Sequence, residues 1–211
     1  MSKVVIVDSG CANLNSVYRA VKAVGLNPLV TGSGAEISTA RAVIFPGVGS
    51  FDHAMQALEA RKLTFPLQKA IRAGVPFLGI CLGMQLLFEA SEESLSTLSL
   101  QAGLSAIKGR VLRFPANLPV PHVGWNQVQP VDDHPLFNGL DSKSYFYFTH
   151  SYYVKPDSDA NYLAQTDYGF PFTSAVCDGP VLGVQFHPEK SGSAGLRLLA
   201  NFGKIIADQS I

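Results

Sequence analysis

The chain has 211 residues and a mass of 22.6 kDa, a length that suits one compact domain over residues 1–211 and leaves little room for two. Sixteen Lys and Arg balance sixteen Asp and Glu, so no basic field exists to draw a phosphate backbone, and nucleic acid is excluded as a partner class. Charged residues make up only 15% of the chain, against about 25% in an average domain, and 47% are hydrophobic, so much of the chain must be hidden from water.

In chain order, the apolar run Val4–Val7 predicts a first strand. Leu14, Val17, Tyr18, Val21 and Val24 recur at helical spacing, and Gly25 is placed to end that helix. Residues 27–30 and 42–45 predict the next two strands, with Gly32-Ser33-Gly34 between them reading as loop. Ser50 is placed to cap a helix through Leu58, and Asp52 suits its positive end. Pro66 opens a further helix that Gly74 closes, and residues 75–80 follow as a fully apolar strand. This alternation predicts an α/β fold with a doubly wound, mainly parallel sheet covered by helices on both faces.

The second half changes character. A Ser-rich stretch at 91–99 leads into alternating segments with turn residues between them, which predicts additional antiparallel strands at 107–114, 125–131, 145–154, 162–166, 172–177 and 181–186. Pro115, Pro119 and Pro121 separate the first two of these. After Ser191 a last helix is expected to bury Leu196, Leu199, Phe202 and Ile206 as one stripe.

No membrane segment is expected, because the uncharged run at 73–88 is interrupted by Gly74, Pro76, Gly79 and Gly83 and is shorter than the about 20 residues a spanning helix needs. Val4–Val7, ended by Asp8, is too short for the core of a signal peptide. Cys11, Cys81 and Cys177 are too few and scattered for a disulfide framework, so a cytoplasmic location is expected, with Cys11 and Cys177 as small core or loop residues. Five histidines without a His-Glu-x-x-His or paired Cys-x-x-Cys pattern give no metal ligand set, and no cofactor is expected.

Gly79-Ile80-Cys81-Leu82-Gly83 falls where a buried strand turns directly into a helix, with a glycine two residues to each side of the cysteine. That is the pattern of a nucleophile elbow, in which a sharp turn lifts the central side chain clear of the sheet edge. The free N–H groups and positive end of the next helix favour a thiolate at Cys81, and the Leu82 N–H is placed to donate to an oxyanion. Gln85 lies one turn beyond on the same face, where an amide suits recognition of a small polar substrate. The competing reading, a buried core cysteine, has to explain two costly glycines and a stranded glutamine.

Gly183-Val184-Gln185-Phe186-His187-Pro188-Glu189 ends another apolar strand with a base and a carboxylate two residues apart. In an extended backbone these would point to the same side, with Pro188 holding His187 extended, so that His187 takes a proton from Cys81 while Glu189 orients the imidazole. A solvated His and Glu at a strand end is the alternative. Phe45-Pro46-Gly47-Val48-Gly49-Ser50 is a third strand-to-helix junction; it lacks the Lys-Ser/Thr of a phosphate loop and reads either as the second half of an oxyanion hole or as a tight turn.

Gly79-Ile80-Cys81-Leu82-Gly83-Met84-Gln85 with Gln185-Phe186-His187-Pro188-Glu189 resembles the class I (triad) glutamine amidotransferases, over essentially the whole chain. The resemblance implies a flavodoxin-like fold with a Cys81, His187 and Glu189 triad. It also implies L-glutamine bound by Gly49, Gln85, Ser151 and Tyr152, and an oxyanion hole of Val48, Gly49 and Leu82 backbone that forms only when the partner's ligand is bound. Within the family, Pro46-Gly47-Val48-Gly49, His122-Val123-Gly124-Trp125-Asn126, residues 145–152 and Glu189-Lys190-Ser191 are similar to glutaminases that work with a β/α-barrel cyclase subunit in histidine biosynthesis. A heterodimer with that cyclase is thereby implied, with Trp125 and Asn126 near the interface unless they form an ordinary exposed strand end.

Residues 8–14 depart from the family pattern, which has Tyr after the Asp and Gly before the Asn, and no site role is assigned to Cys11 or Asn13. Two other readings stay open at this point. One is an amidotransferase serving an anthranilate or aminodeoxychorismate synthase, against which the Val in Pro46-Gly47-Val48-Gly49 argues. The other is a non-catalytic regulatory subunit, against which the complete triad argues.

Overall fold

A computed structural model describes residues 3–10, 12–93 and 102–209. Cys11 and most of the Ser-rich stretch expected at 91–99 lie outside the described residues. In the first half β1 (Val4–Val7), α1 (Leu14–Ala23), β2 (Pro28–Thr31), α2 (Gly34–Ser38), β3 (Ala42–Gly47), α3 (Phe51–Ala60), α4 (Thr64–Arg72), β4 (Phe77–Cys81) and α5 (Leu82–Gln85) follow one another. The second half runs β5 (Ala90–Ser91), β6 (Gly109–Arg113), β7 (His122–Gln127), β8 (Gln129–Pro130), β9 (Tyr145–His150), β10 (Tyr152–Pro156), β11 (Tyr162–Asp167), β12 (Pro171–Asp178), β13 (Val181–Val184) and α6 (Gly192–Asp208).

The main sheet has the order β2-β1-β3-β4-β13-β12-β10-β6-β5, with β11 and then β8 attached through β12. Strands β2, β1, β3, β4 and β13 are parallel to their neighbours, while β12, β10 and β6 continue the sheet antiparallel. Strand β13, from the half read as antiparallel, thus returns to complete the parallel centre beside β4. Strands β7 and β9 pair only with each other, as a separate two-stranded ribbon.

The period of two along the central strands divides the core between two faces. Val4 and Ile6 face one side with Ile44, Leu78 and Leu182, under Val17 and Val21 of α1 and Leu199 and Phe202 of α6. Val5 and Val7 face the other with Val43, Phe45 and Phe77, under α2, α3 and α4 through Ile37, Leu58 and Leu67. Nearly continuous apolar strands are what a sheet covered on both sides requires.

Several local expectations shift. Gly34 opens the short helix α2 instead of lying in a loop, and α4 begins at Thr64, two residues before Pro66. Ser50 is the N-cap of α3 but its side chain makes no capping bond; the Glu93 carboxylate accepts from the Phe51 N–H at 2.8 Å in its place. The strand expected at 145–154 is two strands, broken at Ser151, and that expected at 125–131 begins at His122 and is divided after Gln127 between the ribbon and the main sheet. Leu196 is 38% exposed: the buried stripe of α6 is Gly195, Leu198, Leu199, Phe202 and Ile206, and Leu196 falls off that arc. Asn13 caps α1 through its side chain, a structural duty. Cys177 is partly buried at the end of β12.

Candidate active site

Parallel strands present their carboxyl ends on one edge, and ligands of open α/β sheets gather there. Strands β3, β4 and β13 are neighbours, and their registers set Gly47 beside Cys81 and Val184 beside Ile80. The Cys81 junction, the Val48-Gly49 loop and the segment carrying His187 therefore emerge side by side.

Cys81 itself takes the strained conformation, at φ 55° and ψ −113°, while Gly79 and Gly83 have no positive φ. The glycines serve close packing. A Cβ on Gly83 would sit 1.8 Å from the Phe45 carbonyl oxygen, and one on Gly79 would sit 2.7 Å from the Gly83 carbonyl oxygen. Gly183, paired with Gly79 across the sheet, leaves room for Met84 in the same way. Helix α5 thus lies flat on a bare strip of sheet. It is only four residues long, so the expected aligned-dipole contribution at Cys81 is small, and the N–H groups of its first turn are what remains.

His187 is extended, as Pro188 requires, but Glu189 meets it by a different route from that expected. Pro188–Lys190 form a short 3-10 turn, which curls the carboxylate back so that Glu189 Oε1 lies 2.8 Å from His187 Nδ1. Both side chains are only 3% exposed, so they are not a solvated pair. Burial opposes charge on the ring, but the Cys81 thiol and the Glu189 carboxylate outweigh it and push the His187 pKa up to about 10. His187 Nε2 has no closer hydrogen-bonding partner among the described residues, so the Cys81 sulfur is the group it answers to. Around the thiol, Gln185 Nε2 donates to Cys81 Sγ at 3.6 Å and the thiol faces the Thr149 carbonyl at 3.9 Å.

This raised pKa has a sign that can be checked. A histidine in the unfolded chain ionises near 6.5, so protonated His187 stabilises the fold fully below that pH, and the contribution is lost as pH rises towards about 10. Between these limits the melting temperature of the wild type is expected to fall more steeply with pH than that of Glu189→Gln. Parallel melting curves would show that Glu189 does not hold the proton.

A cavity of about 270 Å³ opens in front of Cys81, and it brings together Val48, Gly49, Cys81, Leu82, Gln85, Ser151 and Tyr152. His187 and Glu189 do not line it. The remaining wall comes from residues without an assigned role: Glu93, Pro121, Thr149 and His150. Burial pushes the Glu93 carboxyl up despite the Phe51 N–H, and Asp52 adds to the shift. Gln185, just past the end of β13, is fully buried, and a glutamine within the apolar stretch 181–186 is the sequence signal for it. Its Oε1 accepts from Gln85 Nε2 at 3.0 Å, and Gln85 also donates to the Tyr152 carbonyl at 3.0 Å. Burial pushes His150 down to about 3, with His122 and His187 adding to the effect against the Tyr152 carbonyl, and it pushes His122 to about 4, so both rings are neutral. No group of three or more His, Cys, Asp or Glu placed to hold a metal ion occurs among the described residues.

A thiol in a strained turn, backed by a buried His-Glu pair and facing an amide-lined cavity, is equipped for acyl transfer from a small amide. Residues 5–206 match the family model for glutamine amidotransferase class-I, and the chain belongs to that family. Among its curated relatives, the "Imidazole glycerol phosphate synthase subunit HisH" of Symbiobacterium thermophilum is 46% identical over 99% of this chain and 96% of the relative. The proteins of the same name from Methanosarcina acetivorans and Synechococcus elongatus are 47% and 48% identical, over 96% and 95% of this chain and 98% and 92% of theirs. Among solved structures, PurLQS from Thermotoga maritima has the same fold, with a TM-score of 0.75 at 20% identity over 97% of this chain and 99% of that one.

Proposed function

We propose that the chain is the glutaminase subunit of imidazole glycerol phosphate synthase, one amidotransferase domain over residues 1–211. The observation that carries this reading is the Cys81 elbow set beside the buried His187-Glu189 pair, in a chain whose relatives bear the name of that subunit. Cys81 Sγ attacks the side-chain amide carbon of L-glutamine. The oxygen that becomes negative is met by the Leu82 N–H and the backbone of Val48 and Gly49. His187 gives its proton to the amide nitrogen, which leaves as ammonia, and a γ-glutamyl thioester remains on Cys81. Water then attacks the thioester with His187 as base, releasing glutamate. Gln85, Ser151, Tyr152 and Gly49 hold the substrate in the cavity, where the Glu93 carboxylate also suits an ammonium group.

The ammonia passes to a β/α-barrel cyclase subunit, which uses it to form imidazole glycerol phosphate and AICAR in histidine biosynthesis. The ribbon of β7 and β9 supports this heterodimer. Its outer face exposes Val123, Trp125 and Tyr145 by more than half, an apolar surface that suits a protein partner. Its other strand reaches the triad directly, since the Tyr147 carbonyl accepts from the His187 N–H at 2.9 Å. A cytoplasmic location is part of the reading, because a reducing compartment keeps a catalytic thiol free; no helix among the described residues is long and apolar enough to cross a membrane. No cofactor, nucleic acid or membrane takes part.

Glutaminase activity measured for the chain alone, with the cyclase, and with cyclase plus its ribonucleotide is expected to rise sharply only at the last step. Trp125→Glu should abolish that rise by preventing association. Equal rates in all three states would refute the coupling. An anthranilate- or aminodeoxychorismate-type synthase subunit that activates this chain in place of the cyclase would replace the assignment.

A further inference from the structure

Two buried histidines have no part in the chemistry above. His122 on β7 and His150 on β9 face each other across the ribbon, 3% and 6% exposed, within a cage that includes Phe114, Phe148, Tyr168 and Phe172. His122 Nδ1 and His150 Nε2 are 3.0 Å apart, and His150 Nδ1 lies 2.8 Å from the Tyr152 carbonyl oxygen.

The partners fix every proton. A carbonyl oxygen only accepts, so His150 carries its hydrogen on Nδ1 and donates to Tyr152. In a neutral ring its Nε2 is then an acceptor, which requires the hydrogen of His122 on Nδ1. His122 Nε2 is left as an acceptor, and Asn126 Nδ2 supplies the donor at 3.3 Å. Asn126 is itself held by donating to the Asp167 carbonyl at 2.8 Å and by accepting from the Gln127 N–H at 2.8 Å. At the other end, the Tyr152 carbonyl that His150 holds is the one that accepts from Gln85. Gln85 donates on to Gln185, whose amide donates to Cys81 Sγ. All the bonds from Asn126 to the Tyr152 carbonyl point the same way, and that carbonyl is the joint between the imidazole pair and the two glutamines.

We propose that His122 and His150 are positioning residues for glutamine, a tautomer-locked imidazole pair that fixes the Tyr152 carbonyl and, through it, Gln85 in the cavity wall and Gln185 on the Cys81 sulfur. This rests on the glutaminase reading. The lock has a definite failure mode. If His122 stops donating, His150 Nε2 is left an unpaired acceptor in an apolar cage, and the ring is held only through its Nδ1 hydrogen on the Tyr152 carbonyl. Held from one side, the ring can turn, and the Tyr152 carbonyl moves with it and loosens the wall that carries Gln85.

Two measurements test this. In the complex with cyclase and ribonucleotide, His122→Phe keeps the ring shape but not the donor, and should raise the KM for glutamine about ten-fold while kcat stays within about two-fold. His122→Asn, whose amide N–H stands where the Nδ1 hydrogen was, should bring KM back to within about three-fold of wild type. An unchanged KM in His122→Phe, with or without a fall in kcat, would overturn the proposal, because a loss of folded enzyme alone lowers kcat. The second measurement needs no variant: nitrogen-15 NMR of the wild-type chain at neutral pH should find both rings neutral with hydrogen on Nδ1, and an Nε2 hydrogen at His150 would overturn the lock even if the variants failed to fold. A wild-type complex without glutaminase activity would instead sink the glutaminase reading, with the NMR result still deciding the lock.

Discussion

Cys81→Ala is expected to lower glutamine-dependent product formation by at least about a thousand-fold, because in the proposed mechanism it removes the atom that forms the thioester. The same complex supplied with ammonium salts should form product at the wild-type rate, since the cyclase then needs nothing from this site. Both arms matter. If ammonium-dependent activity falls as well in a folded variant, Cys81 serves the assembly and not the chemistry. If glutamine-dependent activity survives, the nucleophile is another residue, and neither Gln185 nor Gln85 beside the sulfur could take that role.

The second large effect is on stability. Gly83→Ala would put a methyl group 1.8 Å from the Phe45 carbonyl oxygen, a backbone atom held in the parallel sheet between β1 and β4. Neither side can yield without lifting α5 off the strip formed by Gly79 and Gly183. A cost of about 4 kcal/mol is expected, at the high end for a single substitution, and in a domain of this size it lowers the melting temperature by about 12 °C. Gly139→Ala is the control: at φ +71° with no atom within 4 Å, it should cost about 1 kcal/mol from backbone conformation alone. Equal melting temperatures for the two variants would show that α5 is not tightly seated on the sheet.

What could be read from the chain beforehand follows how local the physics is. The central strands were legible because burial on both faces leaves unbroken runs such as 42–45 and 75–80, and the approach of Cys81 to His187 because both follow such runs. The route by which Glu189 reaches His187 was not, since a 3-10 turn and an extended strand both bring positions two apart into reach and only the fold chooses between them. Glu93 and His150 reach the cavity from segments far from Cys81, and no spacing rule links them to it. Gln185 shows the opposite failure. It lies two residues before His187, and its polarity within the apolar stretch 181–186 is itself the signal.

The backbone at Cys81 has one further consequence. A non-glycine residue at φ 55° and ψ −113° costs on the order of 1–3 kcal/mol, a cost that the burial of the Cys81 side chain in the core offsets only in part. Relief of backbone strain by itself favours glycine at this position. A gene copy released from supplying ammonia would therefore be expected to drift first at the nucleophile, keeping a sturdier fold and the aromatic ribbon, and to persist as a binding subunit without a reaction of its own.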